Sequence, residues 1–189
     1  MRYAPEHNEG ARARILEAAS RLFREHGVEG VGLAKIMAEA DLTVGTFYTH
    51  FKSKEALLQE ALLQSLKARN EALRQALLAG DLELAVRTYL SAEHRDAPGA
   101  GCPAAALAAE VARHPRATRK TFTSEVEVGL DVLVECLSQR RGVEVSRAEG
   151  AAFFGLLVGT LQLARATPDR AASAAILDAG IRAALVLAQ

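Results

Sequence analysis

Apolar residues recur along this chain at helical spacing, and no stretch shows the sustained alternation of a half-buried strand. Over residues 9–25, Ile15, Leu16, Ala19, Leu22 and Phe23 mark one face, and Gly27 follows as a stop. Leu33, Ile36, Met37 and Ala40 form a second, shorter stripe over residues 33–40. A turn at Asp41-Leu42 leads to a third helix over 43–51, with Thr43 as N-cap and Val44, Phe47, Tyr48 and Phe51 at i, i+3, i+4 and i+7. Ser53 caps a fourth helix that runs to Ala79 and is ended by Gly80. At about 1.5 Å per residue it spans on the order of 40 Å, more than three short helices can use, so it should join two domains. A fifth helix from Asp81 carries Leu82, Ala85, Val86, Tyr89 and Leu90 until the run Asp96-Ala97-Pro98-Gly99-Ala100-Gly101 breaks it. Pro103, Pro115 and Pro168 each stand where a first helical residue is expected, and they divide the rest into helices over 103–113, 115–139, 146–165 and 168–188. Ser146 with Glu149 predicts a capping box, and Arg140-Arg141-Gly142 a helix end. The pattern predicts an all-α fold of about nine helices, with one domain over residues 1–52 and a second over 53–189.

Composition narrows the function classes. Half of the 189 residues are hydrophobic, aromatics are 5% and Trp is absent, which fits an Ala- and Leu-rich helical core and excludes wholesale disorder. Lys+Arg 23 against Asp+Glu 23 excludes a globally basic nucleic-acid coat or a polybasic membrane binder, while leaving room for a local basic patch. Two cysteines cannot make a disulfide framework, and MRYAPEHNEG lacks the apolar run of a signal peptide, so a cytoplasmic protein is expected. The longest uncharged stretch, residues 150–164, is shorter than the roughly 20 residues of a membrane helix, and Thr160 and Gln162 interrupt it. No membrane partner is expected.

The second and third helices have the lengths and tight turn of a helix-turn-helix. From Thr43 to Lys54 there is no acid, and His50, Lys52 and Lys54 supply positive charge. Gly45 lies in the first turn of its helix, where it costs roughly 1 kcal/mol relative to Ala. Close approach of that backbone to a DNA duplex gives the loss a reason. Thr46 and Thr49 project short hydrogen-bonding side chains opposite Phe47 and Phe51, as a helix probing base edges requires. These residues, together with Ile15-Leu16-Glu17-Ala18-Ala19, Leu22-Phe23, Gly27, Ile36 through Ala40 and the string Gly45-Thr46-Phe47-Tyr48-Thr49-His50-Phe51-Lys52-Ser53-Lys54-Glu55, resemble the N-terminal domain of the TetR family of transcriptional regulators. The resemblance covers residues 9–60. It implies that Gly45, Thr46 and Tyr48 face the groove, that Thr43 caps the recognition helix, and that Tyr48, His50 and Lys54 meet phosphates of double-stranded operator DNA. Lys35 and Thr49 complete the DNA-facing set, and Leu42, Phe47 and Phe51 belong to the core. The chain departs from the family pattern at Gly32, which removes a capping oxygen, and at Asp41, which stands at the customary turn glycine. Residues 1–60 carry eight Lys and Arg against nine Asp and Glu, so DNA affinity must come from a local patch on each of two subunits and be steeply salt-sensitive.

The last two predicted helices are poor in charge and rich in small residues. Gly155 and Gly159 on one, with Ile176, Gly180, Ala183 and Leu187 on the other, predict a four-helix homodimer interface, and the TetR resemblance implies the same pair. Intramolecular packing is the plainer reading of the same stripes. Tyr89, His94, Leu107, Phe122, Val126, Phe153, Phe154 and Leu157 are candidates to line an apolar cavity for a small-molecule inducer, or equally an ordinary core. Cys102, in Gly101-Cys102-Pro103 at a helix N-terminus, is placed to face unpaired N–H groups, and that segment resembles one in family members similar to electrophile or oxidant sensors. Cys136 reads as core filler. The two thiols lack metal spacing, and neither a metal nor a cofactor is expected. The leading expectation is a ligand-released, DNA-binding repressor with no catalytic residues. The alternatives are an enzyme with Cys102 as nucleophile and His94 or His114 as base, and a helical interaction module lacking both DNA and ligand.

Overall fold

A computed structural model describes residues 5–78 and 80–189. The expected end of the fourth helix at Ala79, and residues 1–4 of the N-terminal stretch, lie outside the described residues. Every regular element among the described residues is helical: α1 Pro5–His26, α2 Leu33–Glu39, α3 Val44–His50, α4 Lys54–Leu78, α5 Leu82–Tyr89, α6 Ala92–Asp96, α7 Pro103–Val111, α8 Arg116–Arg141, α9 Arg147–Ala166 and α10 Arg170–Leu187, with a 3-10 turn at Pro98–Ala100.

Most ends form as the sequence predicts. Ser53 Oγ accepts the Ala56 N–H, and Ser146 and Glu149 make the reciprocal capping box of α9. Gly142, at φ 67, closes α8 in the left-handed conformation that glycine adopts without strain. Asp41 takes φ 56 at the turn between α2 and α3, the conformation for which a glycine would otherwise be needed.

Four local expectations are corrected. The fifth helix stops at Tyr89, because the Ser91 hydroxyl accepts the His94 N–H and starts α6 afresh. Thr43 is the N-cap of α3 by backbone only; its hydroxyl lies 3.1 Å from that of Thr46 instead of taking a backbone N–H. Pro103 holds the first-turn position of α7, but Pro115 is the N-cap of α8, and Pro168 precedes Asp169, whose carboxylate accepts the Ala172 N–H and caps α10. Cys102 is the N-cap of α7 without any side-chain cap bond.

Two apolar cores fill the molecule. The first gathers Ile15, Leu22 and Phe23 of α1, Ile36 and Met37 of α2, and Phe47, then runs along α4 through Leu57, Leu58, Leu62 and Leu66. Leu107 and Val111 of α7 complete it. The N-terminal helices therefore pack against α4 well past residue 52 and against a helix from the far half of the chain. The second core joins α5, α8, α9 and α10 around Val86, Leu90, Leu137, Leu161 and Ala184. Phe122 packs against both. α4 lies along α8, and α9 along α10.

Polar contacts tie the halves together. Glu110 of α7 accepts the N–H groups of Val28 and Glu29, each at 2.9 Å, and so caps the α1–α2 turn. Arg24 donates to the carbonyl of Gly99 at 2.7 Å. Gln59 of α4 donates to Thr118 of α8, whose hydroxyl donates in turn to Glu55.

Candidate functional site

α3 buries Phe47 fully and turns the rest of its length outward. Phe51, just beyond its end, stacks on Phe47 with ring centroids 5.8 Å apart, so two rings fix the helix to the first core. Tyr48 is 67% exposed and meets the edge of Phe47 at 5.1 Å, so its hydroxyl is presented to solvent on a braced ring. Gly45 and Thr49 are exposed and Thr46 is half-buried. The Thr49 hydroxyl donates to the Thr46 carbonyl at 2.7 Å, which leaves its lone pairs outward as acceptors. A Cβ added at Gly45 would meet only Thr43 Oγ1, at 3.9 Å, so nothing inside the protein demands glycine there.

The charges around α3 are sorted. Glu25 and Glu39 pair with Arg21, Glu60 pairs with Arg12, and Glu55 takes Thr118 and lies 3.0 Å from His114 Nδ1. Lys35, Lys52 and Lys54 have no ion-pair partner among the described residues. These lysines leave unpaired positive charge on α2 and just after α3, and Glu17, Glu29 and Asp41 of the same domain are likewise without an ion-pair partner among the described residues. His50 does not join it as a cation, because desolvation, helped by Arg12, holds its pKa below the ordinary value. It is neutral near pH 7 and then carries a single ring N–H.

On the other side of α4 lies a cavity of about 510 Å³, walled by α4, α5, α8, α9 and the segment from α6 to the start of α7. Tyr89, His94, Cys102, Val126, Phe153, Phe154 and Leu157 line it. Leu107 and Phe122 do not: Leu107 shares its helix face with Val111 and points into the first core, and Phe122 sits where the two cores meet. Sequence reading missed the whole α4 wall, Leu66, Arg69, Asn70, Leu73 and Leu77, along with lining residues of α5 and α8 such as Leu84, Val86, Leu130 and Leu133. Along α4 the spacing of three and four was the available signal, but on a helix of mixed polarity it reads as core and solvent faces.

His94 organises one end of this cavity. Its Nδ1 donates to the Tyr89 carbonyl at 2.6 Å, and its Nε2 accepts the backbone N–H of Cys102 at 2.9 Å. That pattern requires the neutral ring, and desolvation pushes its pKa down, with Arg165 and Arg69 adding to the effect against the raising bond to Tyr89. Gly101 is needed here, since a Cβ would lie 2.6 Å from the imidazole. Arg165 closes α6 by donating to the carbonyls of His94 and Arg95.

Residues 15–61 match the family model described as bacterial regulatory proteins, tetR family. The N-terminal domain is a TetR-family domain. The transcriptional regulator TtgR of Pseudomonas putida is 41% identical over 76 residues, which are 40% of this chain and 36% of TtgR. UidR of Escherichia coli is 43% identical over 53 residues, 28% of this chain and 27% of that regulator. The chain thus aligns with about a third of the length of these curated relatives. Among solved structures, the reduced form of E. coli NemR superposes with a TM-score of 0.78 at 20% identity, over 92% of this chain and 94% of that one. The TetR-family regulator SCO4454 of Streptomyces coelicolor superposes with a TM-score of 0.70 at 26% identity, over 96% and 97%. The sequence likeness is concentrated in the TetR-family helix-turn-helix, and the rest of the chain shares the helical architecture.

Beyond the TetR-family domain, α9 and α10 present an open face. A Cβ at Gly155 or Gly159 would meet nothing within 4 Å, and Leu163 and Val186 are 63% and 67% exposed. Ala183 and Leu187 are exposed on α10, with Ile176 half-buried. Gly180 is different: a Cβ there would stand 2.3 Å from Thr160 Cγ2, so it serves the contact between α9 and α10 within one chain. Cys102 is buried, and Cys136 is half-buried with its thiol pKa raised by burial. The imidazole of His94 accepts the Cys102 backbone N–H rather than its thiol, and His114 faces Glu55, so neither histidine stands as a base on that sulfur. Glu29, Glu110 and His114 cluster within metal-ligand reach, but Glu110 is spent on the turn and His114 on Glu55. No helix among the described residues is long and apolar enough to cross a membrane.

Proposed function

We propose that this chain is a homodimeric, DNA-binding transcription regulator, acting as a repressor, that reads a pseudo-palindromic operator with α3 and is released by a small molecule in the cavity. The observation that carries this reading is an outward-facing α3, flanked by free lysines, on a domain whose core is completed by helices that also wall the cavity. Tyr48, Lys54, Lys35 and the N–H of His50 supply phosphate contacts, and Gly45, Thr46 and Thr49 face the bases, with Thr43 at the helix entry. The open face of α9 and α10 around Gly155, Gly159, Ala183 and Leu187 supplies the dimer, which sets two recognition helices about 34 Å apart for successive major grooves. Acting on DNA places the protein in the cytoplasm.

Release needs only that the ligand favour the DNA-incompetent arrangement, and about 1.4 kcal/mol of differential binding weakens DNA tenfold. Two elements carry the shift. α4 runs from the cavity wall to the first core, and α7 runs from Cys102, on the wall, to Glu110, on the α1–α2 turn. By linkage, operator DNA must weaken ligand binding by the same factor.

The test starts from an operator selected out of random duplex DNA. Tyr48→Phe and Lys54→Ala should weaken binding to all duplexes, Lys54→Ala should also flatten the salt dependence, and Thr46→Ala should change preference among operator variants. Unchanged retention by all three would refute the reading. An electrophile that releases wild-type protein and Cys136→Ser, but not Cys102→Ser, would make Cys102 the trigger; equal release from all three leaves reversible binding as the mode.

A further inference from the structure

The cavity wall carries one cation with nothing to neutralise it. Arg69 of α4 lines the cavity, half-buried, and has neither an ion pair nor a hydrogen bond among the described residues. Its guanidinium lies over the ring of Tyr89, 5.3 Å from the centroid, and that contact fixes its place without offsetting its charge. The neighbouring amide is occupied, since Asn70 donates to the Glu125 carbonyl at 2.9 Å and reaches its carboxylate at 3.4 Å, which holds that anion on α8 behind Asn70 and off the cavity lining.

The other charged groups sharpen the asymmetry. Asp81, on the wall, is committed to capping α5 through the Leu84 N–H, and Glu93 is exposed at the margin. His94 is neutral. Arg165 stands behind His94 and adds positive potential at the same end, where both arginines act on Tyr89 and His94. The Tyr89 hydroxyl is buried on this wall beside Cys102, with no hydrogen-bond partner within bonding geometry among the described residues. Most of the remaining lining is aliphatic or aromatic, including Leu73, Leu77, Leu133, Phe153, Phe154 and Leu157.

We propose that the cavity selects a small organic acid, an apolar body bearing one carboxylate, with the carboxylate held by Arg69 and the body against the α8 and α9 side of the wall. Resting on the reading of this cavity as the effector site, the proposal adds the charge of the effector. A guanidinium offers paired donors in a plane that fits a carboxylate, and an apolar surround makes that pairing stronger than it is in water. An amine of the same shape would meet two arginines instead, and an alcohol would leave the charge of Arg69 without a counter-ion.

Three probes of one shape separate these cases: 4-phenylbutyrate, 4-phenylbutan-1-ol and 4-phenylbutylamine, titrated calorimetrically into full-length protein without DNA at pH 7.5. Wild type should bind the acid at least tenfold more tightly than the alcohol, and the amine least. Arg69→Gln should remove the preference for the acid while leaving the alcohol within about threefold of wild type, and Arg69→Lys should restore part of it. Arg87→Gln, at an exposed arginine paired with Glu83, should change nothing. No binding of the acid to wild type, an alcohol bound as tightly as the acid, or an acid preference that survives Arg69→Gln would overturn the proposal. Adding operator DNA separates the two levels, since an acid that binds through Arg69 without releasing DNA would sink the effector role and leave the anion site standing.

Discussion

A single imidazole holds together the junction of α5, α6 and α7. His94 must be neutral to accept the Cys102 N–H, and desolvation with Arg165 and Arg69 holds its folded pKa below the ordinary 6.5. The unfolded chain therefore takes up a proton first as the pH falls, so the stability associated with neutral His94 is complete above about pH 6.5 and is lost progressively below it. Urea midpoints should drop between pH 7.5 and 5.5, and His94→Gln, which retains a donor and an acceptor without titrating, should show a smaller drop. His50 shifts in the same direction, so the difference between the two proteins is the quantity to read. An identical pH dependence would assign the effect elsewhere. At this scale the sequence was legible where chemistry repeats locally. The Tyr48-to-Lys54 string marks its domain through its resemblance to the TetR family, whereas Arg69 looks like any arginine on a solvated face until α5 folds Tyr89 beneath it.

Helices were the most legible level, because apolar spacing, glycine stops and capping pairs act within a few residues. The break between α5 and α6 escaped because Ser91 competes for the backbone from inside an apparently continuous pattern. Small-residue stripes were ambiguous for a different reason. Spacing shows that two residues share a face but not which helix that face meets, and Gly155 and Gly180 look alike until α9 and α10 are docked. They should respond oppositely in the folded monomer. Gly180→Ala drives a methyl into Thr160 and should cost about 1–3 kcal/mol, while Gly155→Ala meets open space and should gain up to about 1 kcal/mol of helix propensity. Chemical denaturation at protein concentrations below self-association would measure both, and equal effects would contradict the docking. Ser146→Ala, which dismantles the capping box, should cost about 1 kcal/mol by the same measurement.

At the scale of the whole molecule, the proposed dimer predicts that Leu163→Glu, by placing an unpaired charge in an apolar face, weakens self-association at least tenfold and abolishes tight operator binding. Light scattering with wild type as a monomer at micromolar concentration, or the mutant as an equally stable dimer, would refute it. Glu110→Ala leaves the Val28 and Glu29 N–H groups without their acceptor and should cost about 1–3 kcal/mol. If α7 carries the signal, the ligand should also lose part of its hold on DNA in that variant, which operator retention with and without ligand would read. Such contacts between residues 82 positions apart are invisible to local pattern, as is the reach of the first core past residue 52 into α4 and α7.

That shared core bears on how such regulators can be recombined. A head exchanged between relatives at residue 52 would arrive without Leu57, Leu58, Leu62 and Leu66, and without the Leu107 and Val111 socket on which α1 rests. A working chimera would have to carry the first half of α4 and the inner face of α7 along with the reading helix, so new operators are more readily acquired by exchanging the solvent-facing residues of α3 than by trading the domain.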